Sequence, residues 1–319
     1  MGLHRLLIAA ALALLATAAA AETYPARPIR IIVSTSAGGI TDVAARVFGN
    51  FLQAKTGQTV VIDNRAGAGG NIAMDAVAKA APDGYTLGVA NTGNIVINPY
   101  LYASMPYDPF KDLVPVGSMG YVPLFMVVNG QLPVNNLKEF VAYAKQNPVS
   151  YGSAGTGTTP HLAADAFNRR AGLNMVHVPY RGSTGATTDV IGGAIPMTFV
   201  SLGQYIELVR QGKLKVLGIA TNKRAPYLPE VATFAEQGFE GLETGTWFAM
   251  FAPNGTPKEI VEQLNAHVRA LPDDAESRKR LDAAFLDPMP VTQAEFAAQV
   301  KQDAAKWERI VRESGVKQN

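Results

Sequence analysis

Short runs of β-branched and aromatic residues alternate along this chain with amphipathic stretches, and that alternation restricts the fold more than any other feature. Residues 29–33, 59–63, 85–90, 122–128, 175–178, 195–200, 214–220 and 246–252 read as strands. Between them, Val43, Val47, Phe48, Phe51 and Leu52 share one face of a helix. Residues 137–146, 161–170, 204–211 and 258–271 read the same way, and 293–313 is a charged amphipathic helix. The alternation predicts an α/β fold with mainly parallel sheets.

Length and composition set the scale. After an N-terminal leader, roughly 300 residues remain, about two domains at ~150 residues each. The chain is 48% hydrophobic and 17% charged, enough apolar content for a sizeable core. Residues 1–5 carry an Arg, 6–15 are continuously apolar, and 16–21 end on Ala19-Ala20-Ala21. These are the three parts of a secretory signal peptide, which places the mature protein in the periplasm. The apolar run is shorter than the roughly 20 residues a membrane span needs. With no Cys anywhere, lipid attachment through a thiol, disulfides, thiolate zinc sites and cysteine nucleophiles are all excluded. A net charge of +2 without a basic block gives no sign of nucleic-acid binding. The expected division is a signal peptide over 1–21, one lobe from 22–121 plus 246–319, and a second from 122–245. Two strands cross between the lobes, with a cleft between them.

The informative loops are rich in Gly and hydroxyls, and each leaves a strand to enter a helix. The first is Ser34-Thr35-Ser36-Ala37-Gly38-Gly39-Ile40-Thr41-Asp42. A helix N-terminus has unpaired N–H groups and a partial positive charge, so it attracts carboxylate, and glycine lets backbone approach a ligand. Asp42 suits either a helix cap or a ligand hydroxyl or ammonium. The second loop runs from Tyr151 to His161. In it Thr159 is placed as N-cap, Pro160 as first helical residue, and Ser153, Thr156 and Thr158 as donors. The third is Tyr180-Arg181-Gly182-Ser183-Thr184-Gly185, and the fourth Asn91-Thr92-Gly93-Asn94. Four such loops split between two lobes favour a cleft lined by neutral donors.

Enzyme chemistry fits less well. Gly152-Ser153-Ala154-Gly155 and Gly182-Ser183-Thr184-Gly185 are not G-x-S-x-G, so there is no nucleophile elbow. Gly67-Ala68-Gly69 lacks the third glycine of a dinucleotide fingerprint, and no P-loop occurs. His4, His161, His177 and His267 have no partner at metal-ligand spacing, so neither metal nor cofactor is expected. His161 reads as structural, or as a ligand contact through its ring. Trp247 and Trp307 read as core.

The chain resembles the substrate-binding proteins of tripartite tricarboxylate transporters, the Bug or TctC-like family, over essentially its whole mature length. The resemblance rests on Tyr24-Pro25-Ala26-Arg27-Pro28-Ile29-Arg30, Ala37-Gly38-Gly39-Ile40-Thr41-Asp42 and Asp63-Asn64-Arg65-Ala66-Gly67-Ala68-Gly69-Gly70-Asn71. It continues through Pro82-Asp83-Gly84-Tyr85, Ile97-Asn98-Pro99, the Tyr151 to Ala163 run, Val178-Pro179-Tyr180-Arg181-Gly182-Ser183 and Pro253-Asn254-Gly255-Thr256-Pro257. It implies a type II periplasmic-binding fold that closes like a Venus flytrap. It also implies delivery of a ligand to one large and one small membrane subunit. Ligands of the family are mostly carboxylates. Carried over by position, the resemblance implies ligand contacts at Ser36, Gly38, Gly39, Asp42, Asn91 and Thr92. In the second lobe it implies Ser153, Gly155, Thr156, Thr158, His161, Tyr180, Gly182, Ser183 and Ser201. One departure is the run Val33-Ser34-Thr35-Ser36-Ala37, where the family usually has Pro and an aromatic residue.

The expected function is therefore a monomeric extracytoplasmic solute-binding protein for a small mono- or dicarboxylate or an aromatic acid, serving a tripartite transporter. The alternatives are presentation of the same ligand to a membrane signalling receptor, or an exported hydrolase using Ser153 or Ser183.

Overall fold

The computed structural model describes residues 24–180 and 182–318. The segment read as a signal peptide, and Arg181, lie outside the described residues. Among the described residues, ten strands form two five-stranded sheets. Lobe 1 holds β1 (Ile29–Val33), β2 (Val60–Asn64), β3 (Thr86–Asn91), β4 (Leu113–Pro123) and β10 (Gly245–Pro253), in the order β2-β1-β3-β10-β4. Lobe 2 holds β5 (Phe125–Asn129), β6 (Ser150–Ser153), β7 (Val176–Pro179), β8 (Met197–Val200) and β9 (Leu214–Ile219), in the order β7-β6-β8-β5-β9. The two orders match. In each sheet, three parallel strands meet an antiparallel strand that has just arrived from the other lobe.

Both sheets are thus mixed. β1 pairs in parallel with β2 and β3, and β6 with β7 and β8. The arriving strands β10 and β5 pair antiparallel on both sides. The parallel part follows from strand–helix alternation, because a parallel neighbour needs a crossover connection. The antiparallel part follows from the crossings, which alternation alone does not reveal.

The crossing itself is compact. The stretch 122–128, which reads as one strand, is divided at Leu124, where the chain leaves the first sheet for the second. Leu124 is buried, its N–H donates to the Thr244 carbonyl (3.3 Å), and its own carbonyl accepts from Ala220 N–H (2.9 Å). Thr244 N–H in turn donates to the Ala220 carbonyl (2.9 Å). The outgoing and returning segments are therefore laced together at one level.

Helices cover the sheets where the apolar periodicity places them. Helix α1 (Ile40–Thr56) turns Ala44, Val47, Phe48, Phe51 and Leu52 into a core shared with β1, β3 and β10, and ends on the left-handed Gly57. On the opposite face α2 (Asn71–Ala78) and, after the one-turn α3 (Asn98–Leu101), the C-terminal α10 (Gln293–Ser314) pack against the same sheet. In lobe 2 the helices are α4 (Leu137–Gln146), α5 (Thr159–Arg170), α6 (Ser183–Ile191) and the short α7 (Ile206–Arg210). Helices α8 (Lys258–Arg269) and α9 (Ala275–Ala283) return to lobe 1. One apolar cluster runs through both lobes, from Phe140 and Phe167 by way of Leu124 to Trp247 and Trp307. Both tryptophans are buried, as expected of core residues.

Candidate functional site

The C-terminal ends of β1, β2, β3, β6, β7 and β8 converge on one cavity of about 630 Å³ between the lobes. This is where an open parallel sheet places a ligand. Lobe 1 supplies Ser34, Thr35 and Ser36 after β1, Gly67, Gly69 and Gly70 after β2, and Asn91 and Asn94 after β3. Lobe 2 supplies Thr156 and Thr158 after β6, Ser183 after β7, and Ser201, Gln204 and Tyr205 after β8. Among the described residues, no charged side chain lines this wall.

The first loop is held in shape from behind. Gly39 is the N-cap of α1, and Gly38 has the left-handed φ of 86° that favours glycine. Asp42 sits in the first turn, almost fully buried, and does not cap with its side chain. Its Oδ2 accepts from Gly38 N–H (2.8 Å) and Arg46 Nε (2.9 Å), and its Oδ1 from Asn64 Nδ2 (2.9 Å). Burial alone would raise the Asp42 carboxyl, but the bonds from Arg46, Gly38 and Asn64 outweigh it and hold the group below the usual carboxylate range. Asn64 also donates to the Thr35 carbonyl (3.1 Å), which ties β2 to the same loop.

The floor is an asparagine network. Asn94 Oδ1 accepts from the Ser34 hydroxyl (2.7 Å) and Asn91 N–H (3.0 Å), while its Nδ2 donates to the Gly69 carbonyl. Asn98 Nδ2 donates to the same carbonyl (3.0 Å) and to Asn71 Oδ1 (2.8 Å). Gly70, at φ 91°, fits because a Cβ there would stand 2.3 Å from Asn94 Nδ2.

Of the residues expected to contact ligand, Ser36, Asn91, Thr156, Thr158, Ser183 and Ser201 lie together on this wall. Gly38, Gly39, Asp42, Thr92, Ser153, Gly155, His161, Tyr180 and Gly182 are not part of it. Thr92 is buried at the back, where its hydroxyl accepts from Trp247 N–H (2.9 Å) and pins the returning strand. Tyr180 donates its hydroxyl to Asp189 (2.5 Å) while its ring lies close to Gly152 and Gly185. Helix α5 starts at Thr159 with Thr158 as N-cap, one residue earlier than its sequence suggests, and Thr158 Oγ1 donates to the Gly155 carbonyl (2.7 Å).

Behind the second-lobe loop lies a histidine pair. His161 Nδ1 accepts from Gly157 N–H (3.0 Å), and the His161 ring stacks on His177. Ser153 Oγ lies 2.7 Å from His177 Nε2 and 3.1 Å from both Gly155 N and Gly155 O. Ser153 is fully buried, so this serine–histidine contact is not open to a substrate. Burial, with Arg169 adding, pulls His161 down to about 4, and burial, with His161 adding, does the same to His177. Among the described residues, no group of three or more His, Cys, Asp or Glu could hold a metal.

The expected contacts left out Asn98, Gln204, Tyr205 and the Gly67–Gly70 run, and held Thr35 and Asn94 only as members of their loops. The glycine run carries the clearest signal, since a Gly-rich turn after a strand and before a helix is a close-approach element even when it is no dinucleotide fingerprint.

The chain is similar over most of its length to proteins of one family. A family described as the tripartite tricarboxylate transporter family receptor, TctC, matches residues 44–316. Protein BugT of Bordetella pertussis is 36% identical over 306 residues, covering 95% of this chain and 94% of its own. A Rhodopseudomonas palustris protein solved with adipate is 34% identical with a TM-score of 0.79, over 92% of this chain and 99% of its own. MatC from Rhodopseudomonas palustris, solved with bound malate, is 33% identical with a TM-score of 0.74, over 90% and 100%.

Proposed function

This chain belongs to the tripartite tricarboxylate transporter receptor family, which consists of periplasmic solute-binding proteins rather than enzymes, and from that premise we propose that its ligand is a small carboxylate bound in the cavity between the lobes. The observation that carries the proposal is the wall itself. It offers amides and hydroxyls from six strand ends, three in each lobe, and no charged side chain among the described residues. A carboxylate satisfied by several N–H and O–H donors can be desolvated without a cation, and the N-terminus of α1 adds the favourable end of its dipole.

In this reading Ser36, Asn91, Thr156, Thr158, Ser183 and Ser201 contact the ligand directly, with the Gly38 and Gly39 backbone beside the carboxylate. Asp42, Thr92, Ser153, Gly155, His161, Tyr180 and Gly182 hold those loops in place. The lobes, close to the expected 22–121 plus 246–319 and 122–245 but with β4 reaching Pro123 and β10 starting at Gly245 in lobe 1, rotate about the laced segments at Leu124, Ala220 and Thr244. Contacts that form in the closed arrangement drive that rotation. The chain is exported by its N-terminal signal, acts as a monomer, and delivers its ligand to the membrane subunits. The relatives solved with adipate and malate support the carboxylate class.

Titration calorimetry of the mature chain against mono-, di- and tricarboxylates, with neutral sugars as controls, tests the proposal. Saturable binding of at least one acid and none of the sugars is expected. Binding of no carboxylate would overturn it.

A further inference from the structure

Helix α10 stops at Gly315, whose left-handed φ of 69° redirects the chain. Val316 packs against the large apolar cluster, and Gln318 pairs in parallel with Tyr102 just after α3. Gln318 N–H donates to the Leu101 carbonyl (2.9 Å), and the Gln318 carbonyl accepts from Ala103 N–H (3.0 Å). Residues 315–318 are thus fastened to lobe 1 through backbone groups and Val316, which leaves the side chain at 318 free for another task.

That side chain reaches the other lobe. Gln318 Nε2 donates to the Thr156 carbonyl (2.9 Å) in the loop that follows β6. Both residues line the cavity, and Leu101 and Tyr102 line it with them. Next in the loop, Gly157 has a left-handed φ of 77°, and a Cβ there would stand 2.6 Å from Leu101 Cδ2 and 3.2 Å from Gln318 Nε2. Backbone of lobe 2 therefore meets side chains of lobe 1 with no room for anything between. The loop is also held from its own side, by Gly157 N–H on His161 Nδ1 (3.0 Å) and Thr158 Oγ1 on the Gly155 carbonyl (2.7 Å).

This contact uses none of the laced segments at Leu124, Ala220 and Thr244. It is a second tie between the lobes, made by one side chain instead of by backbone. A rotation that parts Gly157 from Leu101 breaks it. One hydrogen bond of this kind changes an equilibrium constant by about fivefold, enough to bias the lobes toward closure without preventing release.

We propose that Gln318 is a latch on the cavity: its amide holds the Thr156–Thr158 loop of lobe 2 against lobe 1 and slows the escape of the bound ligand. The inference rests on the cavity being the site of a bound acid, and not on which acid fills it. Because the ligand leaves only after the lobes part, the latch acts on the dissociation rate and by the same factor for every acid.

Gln318→Met tests this, since it keeps the side-chain length and the backbone pairing and removes the donor. The dissociation rates of the two tightest-binding acids of the carboxylate panel are measured on the mature chain and on the variant, by stopped-flow dilution of each complex. Both rates should rise by about fivefold, and equally. The rate is read on the folded complex, so a change in fold stability does not move it. Unchanged rates overturn the inference. Unequal factors for the two acids also overturn it, because they make Gln318 a direct contact of the ligand. Binding of no acid in the panel overturns the carboxylate reading and this inference with it.

Discussion

The imidazoles of His161 and His177 stack with their ring centroids 3.8 Å apart and 19° between their planes, directly behind the loop that follows β6. Two protonated rings cannot share that arrangement, and His161 needs an unprotonated Nδ1 to accept from Gly157 N–H. Tyr151 stacks on His177, Asp165 lies near enough to favour its charged form, and Arg169 disfavours charge on His161.

Both histidines therefore stay neutral in the fold down to about 4, while in the unfolded chain they take up protons near 6.5. The unfolded chain binds the extra protons, so stability is full above the unfolded value and falls as pH drops toward the folded one. Urea unfolding at pH 7.5 and pH 5 should differ by on the order of a few kcal/mol. His177→Gln, which still offers Ser153 a hydrogen bond, should flatten the profile relative to wild type. Asp165, raised by burial, pulls the other way in acid, and the comparison between variants removes its contribution.

Asp42 does not line the cavity, yet replacing it should weaken ligand binding. Asp42→Ala leaves Gly38 N–H, Arg46 and Asn64 without their shared acceptor. A loss of about 1–3 kcal/mol of stability is expected, read by urea unfolding. Affinity should fall as well, because Asn64 also fastens Thr35. Its carboxyl is held low, so this contribution persists at neutral pH and disappears on acidification below the usual carboxylate range.

Gly70→Ala should damage the floor. The left-handed φ and the approach of Asn94 both oppose a Cβ. We expect a loss of about 2 kcal/mol or more in urea unfolding. Gly57→Ala, left-handed but with open space around its Cβ, should cost less and leave ligand affinity intact.

Elements with strong periodicity were legible in the sequence. Residues 29–33 and 137–146 coincide with β1 and α4, whose apolar positions face a core. Strand β6 was not, because Ser-Tyr-Gly-Ser has no apolar alternation. Its glycine lies under Ile195 and Ala186, where a side chain would collide. Strand β4 was hidden by the prolines at its edge, and the division at Leu124 depends on pairing with Thr244 and Ala220, distant in sequence. In the site, glycine and hydroxyl loops signalled the strand ends. Tyr205 did not stand out, since it falls within a stretch that reads as one helix and is preceded there by a tight turn. Asn94 sits in a π turn over residues 93–97, a form no simple periodicity announces.

The central claim is that one acid is held by donors of both lobes. The most direct measurement is a crystal structure of the mature chain with the tightest-binding acid of the carboxylate panel. The account predicts the carboxylate within hydrogen-bond distance of the Thr35–Gly39 loop and the other end of the ligand reached by lobe 2 groups from Thr156, Ser183 or Ser201. A ligand seated instead in the separate pocket lined by Tyr121, Trp247 and Asp303 would contradict it.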